Sequence, residues 1–344
     1  MKNLKDSLNA NHCFIIAEVG LNHNGSFELA MESVREAARA GADAVKFQNF
    51  ITEDFLVDKS QTYTYKSQGE EITESFYELC KRNEFKREWI GPLFELCSDL
   101  GIEFISTPTS EEGVDDLVRA GCKTVKNGSD YITHTPLLKY MAESGMTVII
   151  STGMSNLLEI DEAVDAVKHA AGGVVILQCT SNYPTTPEDV NLKRMVSLQE
   201  RYKFPIGFSD HTIGHEAAIQ ALTLGAKVIE KHFTLSHDLP GPDHWFSVNP
   251  QELCELVKGI RRATLRLGSP SLTFSKSEKN IKDLNRIGVL SNKSLQAGQV
   301  LSPDDICFKK PLLGIKPIGI NEFFGLRINK DIDLYQPITE DLFD

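Results

Sequence analysis

The sequence of 344 residues has no long apolar run and no excess of positive charge. No segment reaches the roughly 20 apolar residues that a membrane span needs. The first eleven residues are polar and lack the apolar region of a signal peptide. A net charge of −12 argues against nucleic acid or an anionic membrane surface as a partner. An anionic ligand would therefore require a local positive pocket.

Paired cysteine motifs are also missing. The seven cysteines are odd in number, scattered, and free of CxxC spacing, which is typical of a reduced protein of the cytoplasm. No GxGxxG fingerprint follows the first apolar run, as a dinucleotide-binding sheet would require. We therefore expect a cytoplasmic protein that has neither a membrane nor a nucleic acid as its partner.

One pattern recurs along the first 270 or so residues: a helical stretch, a glycine at its end, and a short run of β-forming residues. Glycine is favoured at a left-handed helix C-cap, and continuous apolar runs are typical of strands buried on both faces of a parallel sheet. Eight such runs can be counted. Eight alternating β and α units predict a (β/α)₈ TIM barrel, with a doubly wound open sheet as the alternative.

The composition changes after the last helix of the predicted barrel. We predict a barrel over residues 1–268, a linker over residues 269–285, and a small β-rich domain over residues 286–344. A domain of about sixty residues buries little apolar surface and is expected to dock on something. Residues 49–87 form an unusually long second βα connection, which is a candidate lid; mobile surface decoration is the alternative.

Two apolar runs late in the predicted barrel each end in a polar segment with one histidine, His211 and His232. Histidines at the ends of neighbouring strands predict two ligands of a metal ion, and hydrogen-bonded structural histidines are the alternative. Behind them, the turn Pro240-Gly241-Pro242 presents Asp243 in a fixed position, because proline fixes φ and glycine permits a tight bend.

Polar residues stand at all eight predicted strand ends, where barrel enzymes keep their working groups. In chain order they are Glu18; Lys46 and Gln48; Ser106 and Thr107; Lys126 and Ser129; Ser151 and Thr152; Thr180, Ser181 and Tyr183; Ser209 and His211; Glu230 and His232. Two lysines among hydroxyls suit an anion that bears carboxylate and phosphate groups. For each hydroxyl, a helix N-cap or a structural hydrogen bond is the alternative.

Eight motifs in order along the chain are IAEVGLNHNG (16–25), VKFQ (45–48), ISTP (105–108), STGM (151–154), CTSNYP (179–184), SDHT (209–212), EKHFT (230–234) and PGPD (240–243). Together they resemble the sialic acid synthase family, which includes the N-acetylneuraminate, legionaminic and pseudaminic acid synthases. The resemblance covers nearly the whole chain. The C-terminal domain is similar to the antifreeze-like (SAF) domain of that family.

The resemblance implies a transferase that condenses phosphoenolpyruvate with the open-chain aldehyde of an N-acyl hexose. The acceptor would be N-acetylmannosamine or a diacetamido-trideoxyhexose, and the products a nonulosonic 2-keto-3-deoxy sugar acid and phosphate. The resemblance also implies a divalent metal, manganese first and magnesium or cobalt as alternatives, held by His211 and His232 as a Lewis acid. It further implies a domain-swapped homodimer.

The same resemblance assigns roles to residues that match the family motifs. Glu18, Glu230 and Asp243 are the predicted catalytic residues, and Glu18, with Glu230 as the second candidate, would handle the water near the metal. Gln48, Tyr183 and Asp243 are expected to contact the sugar. Phosphoenolpyruvate is expected to lie among Lys46, Thr107, Lys126, Ser129, Ser151, Ser181 and Ser209.

Departures from the family pattern concern the sugar. Relatives that make N-acetylneuraminate carry a glutamate where this chain has Tyr131 and an arginine where it has Lys310, both predicted sugar contacts. They also have an asparagine at Ser181 and an aromatic residue at Arg286. Lysine cannot reproduce the planar fork of a guanidinium group. The sequence therefore leaves open whether the acceptor is N-acetylmannosamine or another sugar.

Three other functions stay open from the residues alone. One is another phosphoenolpyruvate-dependent aldose condensation, which would require a second phosphate site. A second is a Schiff-base aldolase on the same barrel with Lys126 or Lys231 as its nucleophile. The third is a non-catalytic carbohydrate-binding or ice-binding protein, which the polar set at the strand ends disfavours.

Overall fold

A computed structural model of the chain describes residues 3–8 and 12–343. The chain divides into two compact units, Met1–Gly268 and Ser269–Asp344. Among the described residues, no helix has the length and apolar character needed to cross a membrane.

The first unit alternates strands and helices along most of its length. Its strands are β1 (Phe14–Gly20), β2 (Ala44–Asn49), β3 (Thr62–Ser67), β4 (Glu70–Ser75), β5 (Glu103–Pro108), β6 (Thr124–Asn127), β7 (Thr147–Ser151), β8 (Val174–Cys179), β9 (Ile206–Asp210) and β10 (Val228–His232). Its helices are α1 (Leu4–Leu8), α2 (Phe27–Ala40), α3 (Thr52–Phe55), α4 (Phe76–Arg82), α5 (Ile90–Leu100), α6 (Glu111–Ala120), α7 (Thr135–Glu143), α8 (Leu157–Val167), α9 (Arg194–Arg201), α10 (Glu216–Thr223) and α11 (Pro250–Leu267).

Eight of these strands form a closed parallel barrel in the order β1-β10-β9-β8-β7-β6-β5-β2. The predicted TIM barrel is thereby confirmed, and the open-sheet alternative is wrong. Successive residues of a strand face opposite sides, so each strand feeds two apolar layers. Ile105 and Ile149 belong to the cluster inside the barrel, whereas Phe104 and Val148 belong to the cluster beneath the helices.

Helix α1 lies at the amino ends of the barrel strands, the end opposite to the predicted site. Leu4 joins the apolar cluster inside the barrel, and its backbone N–H donates to Glu103 Oε2 over 2.7 Å. Thr124 Oγ1 donates to the other oxygen of Glu103 over 2.6 Å. Burial raises the pKa of Glu103 to about 7. This carboxyl group therefore joins α1 to β5 and β6.

The long second connection is not structureless. After β2 it forms α3, an antiparallel hairpin of β3 and β4, and α4. Gln68 and Gly69 make the turn of the hairpin with φ values of 52° and 87°, since both central residues of such a tight turn need positive φ. Its role as a lid stays a prediction.

The second unit has a small core of its own and one antiparallel strand pair, β11 (Gly288–Ser291) with β12 (Ile306–Lys309). Its buried cluster includes Val289, Leu301 and Ile338. The segment predicted as a linker contains helix α12 (Lys279–Asn285). That run lacks the glycine and proline that stand before it, and the capping box of Ser275 and Glu278 precedes it.

Replacing Gly207 by alanine is expected to destabilise the barrel. A Cβ at Gly207 would lie 2.5 Å from the carbonyl oxygen of Val228 and 2.6 Å from Leu177 Cδ2. Overpacking of this kind costs about 1–3 kcal/mol of the free energy of unfolding. The matched control is Gly91→Ala, because a Cβ at Gly91 meets no atom within 4 Å. Urea unfolding followed by tryptophan fluorescence compares the two, and equal stabilities would contradict the prediction.

The Glu103→Gln variant is expected to change how stability depends on pH. In the folded protein the pKa of Glu103 is about 7 against an ordinary value of 4.5, so the folded state keeps a proton that the unfolded chain releases. Stability from this group is present below about pH 4.5 and is lost as the pH rises towards 7. At 1.36 kcal/mol per pKa unit, the loss amounts to about 3 kcal/mol.

Urea unfolding at pH 5 and pH 8 tests this effect. The loss of stability between the two pH values should be up to about 3 kcal/mol smaller in Glu103→Gln than in the wild type. Replacement of the exposed Glu88 by glutamine is the control and should leave the pH dependence unchanged. Parallel pH profiles for the wild type and Glu103→Gln would refute the assignment.

Candidate active site

A cavity of about 370 Å³ opens at the carboxyl ends of the barrel strands. Each of the eight barrel strands contributes to its lining. The contributing residues are Glu18 (β1), Lys46 and Gln48 (β2), Thr107 (β5), Lys126 (β6), Ser151 (β7), Cys179 (β8), Ser209 (β9), and Glu230 and His232 (β10). From the loops that follow the strands, Ser129, Tyr131, Ser181, Tyr183 and His211 join them.

Two residues of the predicted set lie elsewhere. Asp243 stands behind the lining, with Oδ2 at 3.8 Å from His232 Nδ1. Lys310 belongs to the second unit, where its Nζ donates to Asn285 Oδ1 over 3.3 Å. Its predicted contact with a sugar stays a prediction.

Three hydroxyls at the strand ends have structural partners instead. Ser106 Oγ donates to Asn49 Oδ1 over 2.6 Å, Thr152 Oγ1 to the carbonyl of Leu177 over 3.0 Å, and Thr180 Oγ1 to that of Asp189 over 2.9 Å. At these three positions the hydroxyl makes a structural hydrogen bond and does not line the cavity.

Buried charges of both signs meet at the base of the cavity. Lys46 Nζ lies 2.8 Å from Glu18 Oε2 and 3.7 Å from Glu230 Oε2, and it donates to Thr107 Oγ1 over 3.1 Å. Lys126 Nζ lies 4.0 Å from Glu230 Oε1. Two ammonium groups thus face two carboxyl groups, so these four groups carry a net positive charge only when one of the carboxyl groups is protonated.

The two glutamates ionise differently because their neighbours differ. Burial raises the pKa of Glu18, although Lys46 opposes this shift. Burial acts on Glu230 too, but Lys126 and Lys46 together hold the pKa of Glu230 at about 2. Burial lowers the pKa of Lys126. Glu230 is therefore the fixed anion of the pair, and Glu18 is the group that takes up a proton.

Gln48 fixes the second oxygen of Glu18. Its Nε2 donates to Glu18 Oε1 over 3.1 Å, while Lys46 binds the other oxygen. Both β2 side chains reach the same carboxylate because residues two apart on a strand face the same side. Glu18 is thus held in one orientation at the cavity.

The backbone N–H of Gly153 lies beside two serine hydroxyls. It donates to Ser129 Oγ over 3.1 Å, and a Cβ on Gly153 would lie 2.2 Å from Ser181 Oγ. Ser151 Oγ is buried without a hydrogen-bond partner. Glycine is required here because a Cβ would clash with both serine hydroxyls.

The two predicted metal-binding histidines lie close together, with ring centroids 5.3 Å apart. His211 Nδ1 lies 2.8 Å from the carbonyl oxygen of Thr180 and donates to it, so Nε2 carries the lone pair, with Ser209 Oγ 3.5 Å away. His232 Nδ1 is buried without a hydrogen-bond partner. An unpaired imidazole nitrogen beside a second histidine fits a divalent metal ion of the first transition row.

No group of three or more His, Cys, Asp or Glu side chains in the described part of the chain is arranged to hold a metal ion. His211 and His232 are the two barrel side chains that could hold a metal ion here.

Hydrogen bonds from distant segments anchor the turn that carries Asp243. Asn24 Nδ2 donates to the carbonyl of Pro240 over 2.9 Å, and the N–H of Gly241 donates to Ser67 Oγ of the β3–β4 hairpin over 3.1 Å. Burial raises the pKa of Asp243 to about 7. The turn predicted from its two prolines is thus also held by hydrogen bonds from Asn24 and Ser67.

Lys231 does not reach the cavity. Its side chain points to the opposite side of β10 from Glu230 and His232, where Nζ pairs with Asp210 Oδ2 over 2.9 Å and donates to the carbonyl of Thr212. An amine bound in this way is not available as a nucleophile, so of the two lysines considered for a Schiff base only Lys126 faces the cavity.

The sequence analysis did not predict several residues of the cavity lining. The missed residues include Phe50, Phe55, Phe76, Thr109, Asp130 and Cys179. Nothing in the local sequence distinguishes these phenylalanines from core residues. The available signal was their position in the connection after β2, because βα connections of a barrel open on the face that carries the site.

A barrel whose eight strand ends bring lysines, carboxyl groups and histidines into one cavity defines an enzyme site of the TIM-barrel class. Comparison with known proteins agrees. N,N'-diacetyllegionaminic acid synthase of Legionella pneumophila is 41% identical over 326 residues, which cover 93% of this chain and 91% of that protein. Pseudaminic acid synthase of Campylobacter jejuni is 31% identical over 334 residues, which cover 96% of each chain.

A solved structure is also similar. The crystal structure of N-acetylneuraminic acid (sialic acid) synthetase from Leptospira borgpetersenii, in complex with citrate, matches with a TM-score of 0.71 and 35% identity. The match covers 79% of this chain and 91% of that chain. A model of the NeuB family matches residues 33–271. The chain belongs to the NeuB family and is an enzyme, so the resemblance seen in the motifs is confirmed.

Replacing Lys46 by methionine is expected to leave two buried carboxyl groups without their shared cation. Removing one partner of a buried ion pair costs about 3–5 kcal/mol of the free energy of unfolding. Adding Glu18→Gln to Lys46→Met should restore at least about 1 kcal/mol, because one uncompensated charge is then removed. Both tryptophans, Trp89 and Trp245, lie in the first unit, so their fluorescence during urea unfolding reports on the barrel. Strictly additive effects would show that Lys46 and Glu18 are not coupled.

Proposed function

We propose that the protein condenses phosphoenolpyruvate with the open-chain aldehyde of an N-acyl hexose, giving a nonulosonic 2-keto-3-deoxy sugar acid and phosphate. The arrangement of Lys46, Lys126 and the cavity serines Ser129, Ser151 and Ser181 carries this proposal. It offers two cations and several hydroxyl donors to an anion with a phosphate and a carboxylate. The names of the relatives, synthases of legionaminic, pseudaminic and sialic acids, support the same reaction.

The chemistry forms one carbon–carbon bond and breaks one carbon–oxygen bond. Carbon 3 of phosphoenolpyruvate attacks the aldehyde carbon, and the aldehyde oxygen becomes a hydroxyl. Water then adds to carbon 2 of the former phosphoenolpyruvate, and phosphate leaves with its bridging oxygen, so that the water oxygen becomes that of the new ketone. One proton of the water ends on the new hydroxyl, and the other leaves with the phosphate.

The residues of the chain have distinct parts in this sequence. Lys46 and Lys126 neutralise the phosphate and carboxylate and hold carbon 3 towards the aldehyde. Glu18 takes the proton from water, since its raised pKa suits a group that both accepts and returns a proton. Gln48 keeps the carboxylate of Glu18 oriented. Glu230 remains ionised and balances the two lysines.

A divalent metal, with manganese proposed first and magnesium or cobalt as alternatives, would be held by His211 and His232 and would supply Lewis-acid polarisation of the aldehyde. The unpaired, buried Nδ1 of His232 and the orientation of His211 by the Thr180 carbonyl support this assignment. Asp243, beside His232 and anchored by the turn, is proposed to contact the sugar near the reacting carbon.

We also propose that the second unit is the antifreeze-like domain of the family and that the protein is a homodimer. A core as small as that of the second unit supports docking on another surface. Sedimentation equilibrium tests the dimer directly, and a monomeric mass across the micromolar range would refute it.

Phosphate release from phosphoenolpyruvate tests the reaction. With manganese present, the wild type should release phosphate only when a suitable sugar is added, from a panel of N-acetylmannosamine, mannose and a diacetamido-trideoxyhexose. A chelator should abolish the release. His211→Ala should lower kcat/KM at least about 100-fold, because a ligand of the metal is lost.

The matched control is His169→Ala, which removes an exposed histidine and should leave the rate unchanged. Phosphate release that persists in His211→Ala would contradict the metal site. The absence of release with every sugar would contradict the reaction. Inactivation by borohydride in the presence of pyruvate would instead identify Lys126 as a Schiff-base nucleophile.

A further inference from the structure

The loop that follows β1 contains a buried asparagine that has no part in the proposed reaction. This residue, Asn22, belongs to the first of the eight motifs. It is 1% exposed and does not line the cavity. Its backbone N–H donates to the carbonyl of Val19 over 2.8 Å, so a tight turn places its side chain beside the end of β1. Its Nδ2 makes two hydrogen bonds to residues 233–248, which we call the β10 loop.

The first of these bonds reaches the residue next to His232. Asn22 Nδ2 donates to the carbonyl of Phe233 over 2.9 Å, and the backbone N–H of Phe233 donates to the carbonyl of Glu18 over 2.7 Å. Both polar backbone groups of Phe233 are thus bound to residues of β1 and the turn after it. The contact between β1 and the β10 loop therefore continues past Glu18 and His232, the last pair of the ladder.

The second bond reaches Asp243 through a serine. Asn22 Nδ2 donates to Ser247 Oγ over 3.0 Å, and Ser247 Oγ donates to the carbonyl of Asp243 over 2.5 Å. Ser247 is 2% exposed. A buried polar group that loses its partner cannot turn to water instead, which costs free energy. The chain of bonds from Asn22 to Asp243 is therefore kept closed in the folded protein.

We propose that Asn22 is a positioning residue, whose single amide group holds both ends of the β10 loop and so sets the carboxyl group of Asp243 against His232. The two N–H donors of an amide point in fixed directions, so Phe233 and Ser247 keep one separation. Asp243 Oδ2 then lies 3.8 Å from His232 Nδ1. This inference rests on the proposed function, because it concerns the placement of a residue of that reaction.

A second asparagine of the same loop supports this arrangement. Asn24 Oδ1 lies 3.2 Å from His244 Nε2, and Nδ1 of the same ring lies 2.6 Å from Thr234 Oγ1. His244 is 1% exposed. The residue that follows Asp243 is therefore also placed between the loop after β1 and the start of the β10 loop.

The test uses the full-length enzyme with manganese and the sugar of the panel that supports phosphate release. Asn22→Asp keeps the shape of the side chain and removes both N–H donors. It should lower kcat/KM for the sugar at least about 10-fold, because a small displacement of a positioned group is costly to the rate. The KM for phosphoenolpyruvate should stay within about 2-fold of the wild type, since Asp243 is proposed to contact the sugar.

A double-mutant cycle separates positioning from a general loss of stability. In an Asp243→Ala background, Asn22→Asp should change kcat/KM less than about 2-fold, because the group that it misplaces is absent. Ser247→Ala breaks the same chain of bonds at another residue and should behave in the same way. Additive effects in the cycle of either folded variant would overturn the inference.

Hydrogen exchange measured by mass spectrometry gives a readout that does not depend on activity. Backbone amides of residues 240–248 should exchange faster in Asn22→Asp and in Ser247→Ala, and those of β7 should not change. Unchanged exchange over residues 240–248 in both variants would also overturn the inference. Asn292→Asp makes the same substitution at an exposed position of the second unit and should match the wild type in rate and in exchange.

Failure of this inference differs from failure of the proposed function. Phosphate release by the wild type, together with additive cycles or unchanged exchange, would overturn the role of Asn22 and leave the reaction standing. No phosphate release by the wild type with any sugar of the panel would overturn the reaction, and the inference with it. Circular dichroism verifies folding, and the two variants interrupt the bonds at different residues, so loss of folding in one leaves the other as the test.

Discussion

Closure of the barrel between β1 and β10 is the constraint on which the site depends. The register of that pairing sets Glu18 opposite His232, and the pairing of β1 with β2 sets Glu18 opposite Lys46. On the next strand pair, Glu230 lies opposite Ser209. Backbone hydrogen bonds thus hold residues up to 214 positions apart in the sequence beside each other. A shift of one residue would turn each of these groups to the other face of its strand.

The buried charges that this register brings together are costly in isolation. Lys46 and Lys126 are almost fully buried, as are Glu18 and Glu230, and each would lose most of its hydration energy on folding. Their mutual arrangement offsets this cost only in part. A site that holds two cations beside one firmly ionised carboxylate gains further from a bound anion, so binding energy is used to complete an arrangement that folding has already prepared.

Much of this arrangement could be predicted from the sequence, because it depends on two local signals. Glycine followed by a continuous apolar run marks six of the eight strands, and the polar residues at the strand ends include most of the charged lining. Strand periodicity also predicts the direction of Lys231. Glu230 and His232 face the cavity, so Lys231 between them must face away from it. That argument alone would have left Lys126 as the one lysine considered for a Schiff base.

Other features could not be predicted, since they depend on contacts between distant segments. The carboxyl group of Glu103 binds the N–H of Leu4, 99 positions away, and neither residue carries a local signature. Phe50, Phe55 and Phe76 of the lining come from a connection whose helices and hairpin are too short for a periodic pattern. Helix α12, with seven residues, was likewise too short to stand out from the polar segment around it.

Two hydrogen bonds attach the β3–β4 hairpin to the segment that carries Asp243. Gln68 donates to the backbone carbonyl of Asp238, and Ser67 accepts from the backbone N–H of Gly241, so both contacts use main-chain atoms of the partner segment. These anchors do not depend on the side chains of the turn, because backbone carbonyl and N–H groups are common to nearly all residue types. The sequence of the turn can therefore diverge among descendants of this enzyme while the hairpin stays attached to it.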